Sequence, residues 1–236
     1  MHALPWLADD RLDFPLPEQA LAEPDGLLCA GGDLRPERLE RAYRQGIFPW
    51  YEAGSPILWW CPDPRTILRP SQLHVSRSLR RRINRSDYRI TLNQAFDAVV
   101  SGCAAPRAYA TGTWITAEMH AAYAALHERG LAHSLEVWMD EGEGPLLAGG
   151  IYGVALGRCF FGESMFSGRS NGSKLALYHL MQFMQSHDMP LLDCQLSNPH
   201  LQRLGATRMR RAAFLAEIGP LCDQGGPDWE PRQLYP

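Results

Sequence analysis

The feature that most constrains the fold is a pair of apolar segments, 149–155 and 159–167, joined by the short turn Leu156-Gly157-Arg158. β-Branched and aromatic residues on both sides of a glycine-containing turn are typical of a β-hairpin. The second segment carries Glu163 inside an apolar run, and an unpaired buried carboxylate is strongly destabilising. Glu163 is therefore either a paired structural charge or part of a functional site.

The overall composition is that of an ordinary globular chain. It has 236 residues, enough for one large domain or two unequal ones, and a formal net charge of −3. A net charge this small gives no indication of nucleic-acid binding, so such a function would depend on local clusters of charge. No signal-peptide pattern or membrane-spanning apolar run is present, so we expect a cytoplasmic protein without a membrane partner.

The cysteines argue against two kinds of site. All six are scattered along the chain without a CxxC pair. That spacing does not match a zinc site, and at this chain length it does not resemble a disulfide framework. The pattern favours a reducing compartment and predicts no metal centre.

The order of periodic segments predicts the fold class. From Ile90 onward it reads strand, helix, helix, strand, strand, strand, helix, strand, helix. That order is typical of an α/β (α+β) fold with a mainly antiparallel central sheet. Pro62 and Pro64 make a stiff corner, where we place a domain boundary. The prediction is a small N-terminal domain, 1–62, followed by a larger domain, 63–236.

Two aromatic clusters, 47–51 and 58–60, lie just before this boundary. One interpretation is a small aromatic core that packs one domain on the other. The other is an aromatic wall that stacks on an adenine or contains an apolar side chain. The residues leave both interpretations open.

A run of arginines lies between His74 and Arg89, where Asp87 is the one opposing acid. Ser76 or Ser78 could cap a helix there, and its exposed face would be almost entirely guanidinium. A solvated run of charges and a surface for an anionic partner protein are the alternatives. Because the rest of the chain is acidic, the contrast favours a phosphate-binding face.

A second apolar strand, 189–196, contains two polar residues, Asp193 and Gln195. The period of a strand predicts that their side chains lie on one face. Cys194 between them would then point to the opposite face, into the core. Asn198-Pro199 opens a short helix that ends near Gly205.

The order hairpin, helix, strand, helix resembles the acyl-CoA N-acyltransferase (GNAT) fold. In that superfamily an amine attacks an activated acyl group held where two strands separate. The glycine-rich loop that binds pantetheine in that superfamily has no match in residues 166–172. The resemblance therefore implies a GNAT-like domain without a CoA donor, and the arginine run favours a donor carried by a nucleic acid.

Seven short motifs, taken together and in order, resemble the bacterial leucyl/phenylalanyl-tRNA–protein transferases. They are GGDL at 31–34, GIFPWY at 46–51, WWCPDPR at 59–65, GTWIT at 112–116, HSLEVW at 133–138, GESMFS at 162–167 and LLDCQL at 191–196. The resemblance implies transfer of Leu or Phe, and less well Met, from aminoacyl-tRNA to proteins that begin with Arg or Lys. It places that reaction in the N-end rule degradation pathway and implies no cofactor.

The resemblance also implies roles for individual residues. Asp193 and Gln195 become the catalytic pair, in which Gln195 contacts the attacking amine either as a base or only to position it. Glu163 and Asp193 are suited to hold a cationic N-terminal residue. The pocket for the transferred side chain and the terminal adenosine would be formed by Trp50, Trp114, Ile151, Phe160, Met165 and Asn198. The tRNA-binding arginines would be Arg77, Arg80, Arg81, Arg82 and Arg85.

Two other classes of protein fit parts of the pattern. One is a CoA-dependent N-acetyltransferase, which would bind acetyl-CoA. The other is a non-catalytic RNA-binding protein, in which Asp193 and Gln195 would be replaceable without loss of function. The number and order of the matched motifs argue against both.

Overall fold

A computed structural model describes residues 4–85, 87–105, 115–142 and 144–235. In the first of these ranges, four short strands form a sheet in the order β1-β2-β4-β3. The strands are β1 (Trp6–Leu7), β2 (Leu27–Gly31), β3 (Phe48–Pro49) and β4 (Leu58–Trp60). The first helix, α1 (Pro36–Arg44), begins at a proline, whose fixed φ suits a first helical position.

The larger sheet contains eight strands of the described residues, in the order β11-β5-β10-β9-β8-β7-β6-β12. These strands are β5 (Arg65–Leu68), β6 (Arg89–Leu92), β7 (Ala132–Asp140), β8 (Pro145–Leu156), β9 (Cys159–Ser167), β10 (Leu191–Gln195), β11 (Thr207–Met209) and β12 (Arg232–Tyr235). β9 and β10 run parallel, and the other neighbouring pairs of this sheet are antiparallel. The predicted fold class, α/β (α+β) with a mainly antiparallel central sheet, is confirmed.

Helices cover both faces of this sheet. They are α2 (Arg77–Ile83), α3 (Phe96–Ala104), α4 (Ala117–Glu128), α5 (Gly172–Ser186), α6 (Pro199–Arg203) and α7 (Arg211–Cys222). Leu175, Leu180 and Met184 of α5 are buried in one core cluster, and Val99 of α3 and Tyr123 of α4 in the other. The alternating burial of β9 explains the two clusters, because Phe160 lies on one face and Phe161 on the other.

The predicted hairpin is formed by β8 and β9. Its ladder runs from Leu156 opposite Cys159, beside the turn, to Gly149 opposite Ser167. Gly157 in the turn has φ +55°, and a Cβ there would lie 2.3 Å from the carbonyl oxygen of Leu221. The turn therefore needs glycine for both its conformation and the close approach of α7.

β9 and β10 separate after a short parallel ladder. Their last pair is Phe161 and Asp193, after which β9 continues to Ser167 while β10 ends at Gln195. We call this point of separation the fork. Glu163 and Gln195 each lie two residues beyond the last pair, one on each side of the fork.

The change from the smaller to the larger sheet falls between Trp60 and Arg65, near the predicted boundary. One core cluster contains Tyr43 and Trp59 from the first part and Phe161 and Phe214 from the second. The division into domains 1–62 and 63–236 stays a prediction. Of the helices in the described residues, none has the length and apolar character needed to span a membrane.

Candidate active site

The fork contains a fully buried ion pair. Arg65 at the start of β5 donates from Nε to Oδ1 of Asp193 at 2.8 Å and from Nη2 to Oδ2 at 2.7 Å. Both side chains are 0% exposed. The guanidinium lies between the rings of Phe48 and Phe214, with Cζ 4.9 Å and 4.7 Å from their centroids. Asp193 is thus neutralised by a protein cation, in the two-pronged geometry that gives the strongest such pairs.

The backbone of β10 departs from a regular strand after Asp193. Asp193 is opposite Ile67 of β5, whereas Gln195 is opposite Thr66, so a bulge separates them. Because the alternation of side chains holds only along regular strand backbone, it does not fix the face of Gln195 beyond this bulge. The prediction that Asp193 and Gln195 share one face assumed a regular strand and stays a prediction.

Gln195 is held through its backbone. Its φ is +53°, a conformation that non-glycine residues rarely adopt, and its N–H donates to Oδ1 of Asp193 at 3.0 Å. Its side-chain Nε2 is buried and has no protein partner within the described residues. Asp193 therefore orients Gln195 by fixing the bulge, and the side-chain amide is left available.

Glu163 on the other side of the fork is half-buried and accepts two tyrosine hydroxyls. Tyr43 of α1 donates to Oε1 and Tyr123 of α4 donates to Oε2, both at 2.7 Å. The two hydroxyls also lie 2.6 Å from each other. Glu163 forms no ion pair with an Arg, Lys or His in the described part of the chain. Among the described side chains, its hydrogen-bond donors are thus two tyrosine hydroxyls.

Burial, which outweighs the two tyrosine hydrogen bonds, raises the pKa of Glu163 from 4.5 to about 7. Burial beside this carboxylate also raises the pKa of Tyr43 and of Tyr123 well above 10.0, which keeps both hydroxyls protonated as donors. A carboxylate with this pKa gains much of its charge only near neutral pH. A cationic group placed beside it would favour the charged form further.

Three residues of this site, Arg65, Tyr43 and Tyr123, were not predicted from the sequence. Arg65 occurs in the sequence only as the end of the WWCPDPR motif, and Tyr43 and Tyr123 have the spacing of ordinary helix core positions. Their partners are distant in the chain: Arg65 and Asp193 are 128 residues apart, and Tyr43 and Glu163 are 120 apart. The one available signal was the acid itself, because a buried carboxylate requires donors.

The predicted pocket residues fall into two groups. Trp50 is 42% exposed and packs edge-on against Trp60 at 5.6 Å, and Met165 is half-buried on β9. Ile151 and Phe160 are core residues, since Phe160 is 1% exposed and contacts Trp229 at 5.6 Å between ring centroids. Trp50 and Met165 are thus at least partly exposed, whereas Ile151 and Phe160 are buried in the core.

Asn198 has a local role that the sequence only partly indicated. Its Oδ1 accepts the N–H of Leu201 at 2.9 Å, so the side chain caps α6. Trp114, another predicted pocket residue, lies outside the described residues.

The arginine run forms α2 as predicted, and Ser76 is its cap, accepting the N–H of Leu79 at 3.2 Å. Arg77, Arg80 and Arg81 are exposed and line an open depression of about 540 Å³ together with Asn84. None of these arginines forms an ion pair with a described residue.

Two members of the run, Arg82 and Arg85, are paired with Asp87. Arg82 is 14% exposed, is paired with Asp87 and lies over the ring of Tyr88 at 5.2 Å. Arg85 is 3.3 Å from the same Asp87 carboxylate. The free cationic face of α2 is thus narrower than the sequence run.

Cys194 and the other cysteines do not form a metal centre in the described residues, where no group of three His, Cys, Asp or Glu side chains could hold an ion. Cys194 is half-buried at the edge of the α5 core cluster, and burial raises its pKa well above 9.0. A thiol so resistant to ionisation is a poor nucleophile, in agreement with the predicted core role.

The mainly antiparallel sheet, whose one described parallel pair separates into a fork with a carboxylate and an amide on its two sides, has the strand arrangement expected for a GNAT-like domain. The family model for leucyl/phenylalanyl-tRNA protein transferase matches residues 67–219, and the model for its N-terminal domain matches 32–63. The chain belongs to the leucyl/phenylalanyl-tRNA–protein transferase family. It is an aminoacyltransferase, which moves an aminoacyl group from tRNA to protein.

Curated relatives match nearly the whole chain. The leucyl/phenylalanyl-tRNA–protein transferase of Stutzerimonas stutzeri is 53% identical over 96% of this chain and 99% of its own length. The enzyme of Chromohalobacter salexigens is 55% identical over 90% of this chain and 81% of its own length. Among solved structures, L-PGS from Bacillus licheniformis has a TM-score of 0.41 at 12% identity, over 75% of this chain and 67% of that one.

Proposed function

We propose that the protein transfers Leu or Phe, and less well Met, from aminoacyl-tRNA to the α-amine of proteins that begin with Arg or Lys. The single observation that carries the acceptor preference is the Glu163 carboxylate, which accepts two tyrosine hydroxyls and forms no ion pair with a described cation. Such a carboxylate is suited to receive the positive side chain of the acceptor. The product enters the N-end rule degradation pathway, and the protein acts in the cytoplasm, where its tRNA donor is found.

The donor binds across α2 and the fork. Arg77, Arg80 and Arg81, exposed around one depression, contact phosphates of the acceptor stem. An A-form duplex offers its backbone and shape to a protein rather than readable base edges, so this contact is independent of sequence. The aminoacyl end then reaches the fork, where Trp50, Met165 and Asn198 contact the terminal adenosine and the transferred side chain, with Ile151 and Phe160 in the core behind them.

The reaction at the fork needs positioning more than it needs a strong base. The acceptor amine attacks the ester carbonyl, an amide bond forms and the ester C–O bond breaks. The amine loses one proton and the ribose oxygen gains one. Gln195 accepts a hydrogen bond from the amine through its side-chain oxygen and so positions the amine for attack. It does not keep the proton, because a neutral amide is too weak a base. Asp193 fixes the bulge that presents Gln195.

The test is transfer of radiolabelled Phe from Phe-tRNA to two peptides that differ only in the first residue, Arg or Ala. Wild-type protein should modify only the Arg peptide. Glu163→Gln should raise KM for that peptide about tenfold or more, the value of one charge-assisted hydrogen bond, and leave KM for Phe-tRNA nearly unchanged. Equal use of both peptides by the wild type would contradict the acceptor proposal.

A matched control is Glu136→Gln on β7. Glu136 is also a buried strand glutamate that accepts two hydroxyls, from Thr91 and Ser134, and burial likewise raises its pKa. It lies away from the fork, so its variant should leave the peptide KM at the wild-type value. A rise in KM in both variants would indicate a general response to losing a buried acid.

A further inference from the structure

We infer that Arg65 is a positioning residue of the transfer reaction, acting through Asp193 on the bulge that presents Gln195. The inference rests on the proposed function, because it assumes that Gln195 positions the acceptor amine. It adds a residue of the WWCPDPR motif to a site otherwise built by β9, β10, α1 and α4.

The first step is the shared oxygen of Asp193. Oδ1 accepts both Nε of Arg65 at 2.8 Å and the backbone N–H of Gln195 at 3.0 Å. Oδ2 accepts Nη2 of Arg65 at 2.7 Å, so the carboxylate is fixed in direction as well as in position. Arg65 therefore holds the carboxylate oxygen that accepts the N–H of Gln195.

The second step is the conformation that this contact maintains. Gln195 has φ +53°, and a non-glycine residue remains in that region only when its surroundings hold it there. The register of β10 on β5 also shifts at this residue, so the ladder itself does not constrain it as a regular strand would. The hydrogen bond to Asp193 is thus a specific restraint on where the Gln195 amide points.

The third step is the confinement of the guanidinium. Its plane is held between Phe48 of the smaller sheet and Phe214 of α7, and the side chain is 0% exposed. Nη1 is buried without a protein partner within the described residues. Arg65 therefore has no surface from which to touch a substrate, and its influence on the reaction passes through Asp193.

Arg69 provides a matched control on the same stretch of chain. It lies four residues after Arg65 and makes the same two-pronged contact, with both oxygens of Glu217 at 2.8 Å. Glu217 belongs to α7, as does Phe214, so Arg65 in β5 and Arg69 directly after it both contact that helix. Arg69 differs in being 28% exposed and in having its acidic partner on α7 rather than on β10.

The experiment compares Arg65→Lys with Arg69→Lys in the Phe-transfer assay, per mole of tRNA-binding protein. Lysine keeps the charge but cannot supply the planar pair of donors. Arg65→Lys should lower kcat about tenfold to a hundredfold, the effect of a displaced catalytic group, with KM for Phe-tRNA within about twofold of wild type. Arg69→Lys should retain kcat. The backbone amide resonance of Gln195 should move in Arg65→Lys and stay in place in Arg69→Lys.

Three outcomes decide between the hypotheses. Wild-type kcat in Arg65→Lys, or an equal loss in the two variants, would overturn the inference. Absence of transfer by the wild type would instead contradict the proposed function. If Arg65→Lys does not fold, Phe48→Leu is used, which removes one of the two rings that confine the guanidinium. It should shift the amide resonance of Gln195 and lower kcat to a smaller extent, and a shifted resonance with an unchanged kcat would overturn the inference.

Discussion

The charged side chains of the fork and of the exposed face of α2 differ in burial and in pairing. In the fork, Arg65 and Asp193 are both 0% exposed and satisfy each other through two short hydrogen bonds. On α2, Arg77, Arg80 and Arg81 are exposed and form no ion pair with a described residue. The first arrangement fixes geometry, and the second leaves charge available to a partner.

The difference predicts how each region responds to its surroundings. Salt screens a buried ion pair only slightly. At 0.1 M salt, by contrast, it largely screens the attraction between exposed charges that are more than about 10 Å apart. Changes in the fork should therefore alter folding, kcat or acceptor use. Changes on α2 should alter the affinity for tRNA in a salt-dependent manner.

The largest effect is expected from Asp193→Asn, which leaves the Arg65 charge buried without its partner. The free energy of unfolding should fall by about 3–5 kcal/mol, as when one member of a buried pair is removed, and transfer activity should be lost. Urea unfolding and the Phe-transfer assay measure the two effects.

The control is Asp87→Asn, which removes the partner of Arg82 and Arg85 at the surface. That change should cost at most about 1 kcal/mol and leave transfer intact. Equal losses of stability in the two variants would abolish the proposed contrast between buried and exposed pairs.

The next effect is a pH dependence from Glu163. Because burial raises its folded pKa from 4.5 to about 7, the folded protein keeps a proton that the unfolded chain releases between these values. This group therefore makes the free energy of unfolding decrease as pH rises through that window. Glu163→Gln should lose this contribution, as measured by urea unfolding at several pH values from 4.5 to 7.5.

Acceptor binding should show the opposite sign, because only the carboxylate attracts a cationic side chain. Binding of the Arg peptide should strengthen as pH rises through about 7 in the wild type, and Glu163→Gln should remove that dependence. Parallel pH profiles of stability in wild type and variant would refute the assignment of this pKa to Glu163.

A smaller effect, confined to the donor, is expected from replacing Arg80 and Arg81 together by Ala. KM for aminoacyl-tRNA should rise while kcat stays near the wild-type value. The plot of log affinity for tRNA against log salt concentration should become less steep. Its slope should fall in magnitude by about two, one for each lost phosphate contact.

Arg82→Ala is the informative contrast, because Arg82 is 14% exposed and paired with Asp87. It should reduce stability and leave the salt slope unchanged. An unchanged KM at low salt in the Arg80 and Arg81 variant would contradict the phosphate-binding face.

The elements could be predicted because their signals are local. The β8–β9 hairpin, the start of α1 at Pro36 and the cap of α2 by Ser76 follow from residues a few positions apart. The acid in β9 was also recognisable, since a carboxylate within an apolar run requires an explanation.

The site geometry could not be predicted in the same way. Arg65 meets Asp193 across 128 residues, and Tyr43 meets Glu163 across 120, so each contact depends on how the sheets and helices assemble. The bulge at Gln195 is a departure by one residue, which a pattern of alternation does not reveal. The prediction that Asp193 and Gln195 share one face assumed a regular strand for that reason.

The smallest expected effect tests whether tRNA binding by α2 depends on the stability of the helix as well as on its charge. The Ser76 hydroxyl accepts the N–H of Leu79, whereas the Ser78 hydroxyl contacts only that of Ser76 among the described side chains, at 3.0 Å. Ser76→Ala should lower the free energy of unfolding by about 1 kcal/mol, the value of a helix cap, and raise KM for aminoacyl-tRNA slightly. Ser78→Ala should change both by less. Because neither substitution alters a charge, the salt slope should stay at the wild-type value in both, and a reduced slope in Ser76→Ala would mean that fraying of α2 removes phosphate contacts.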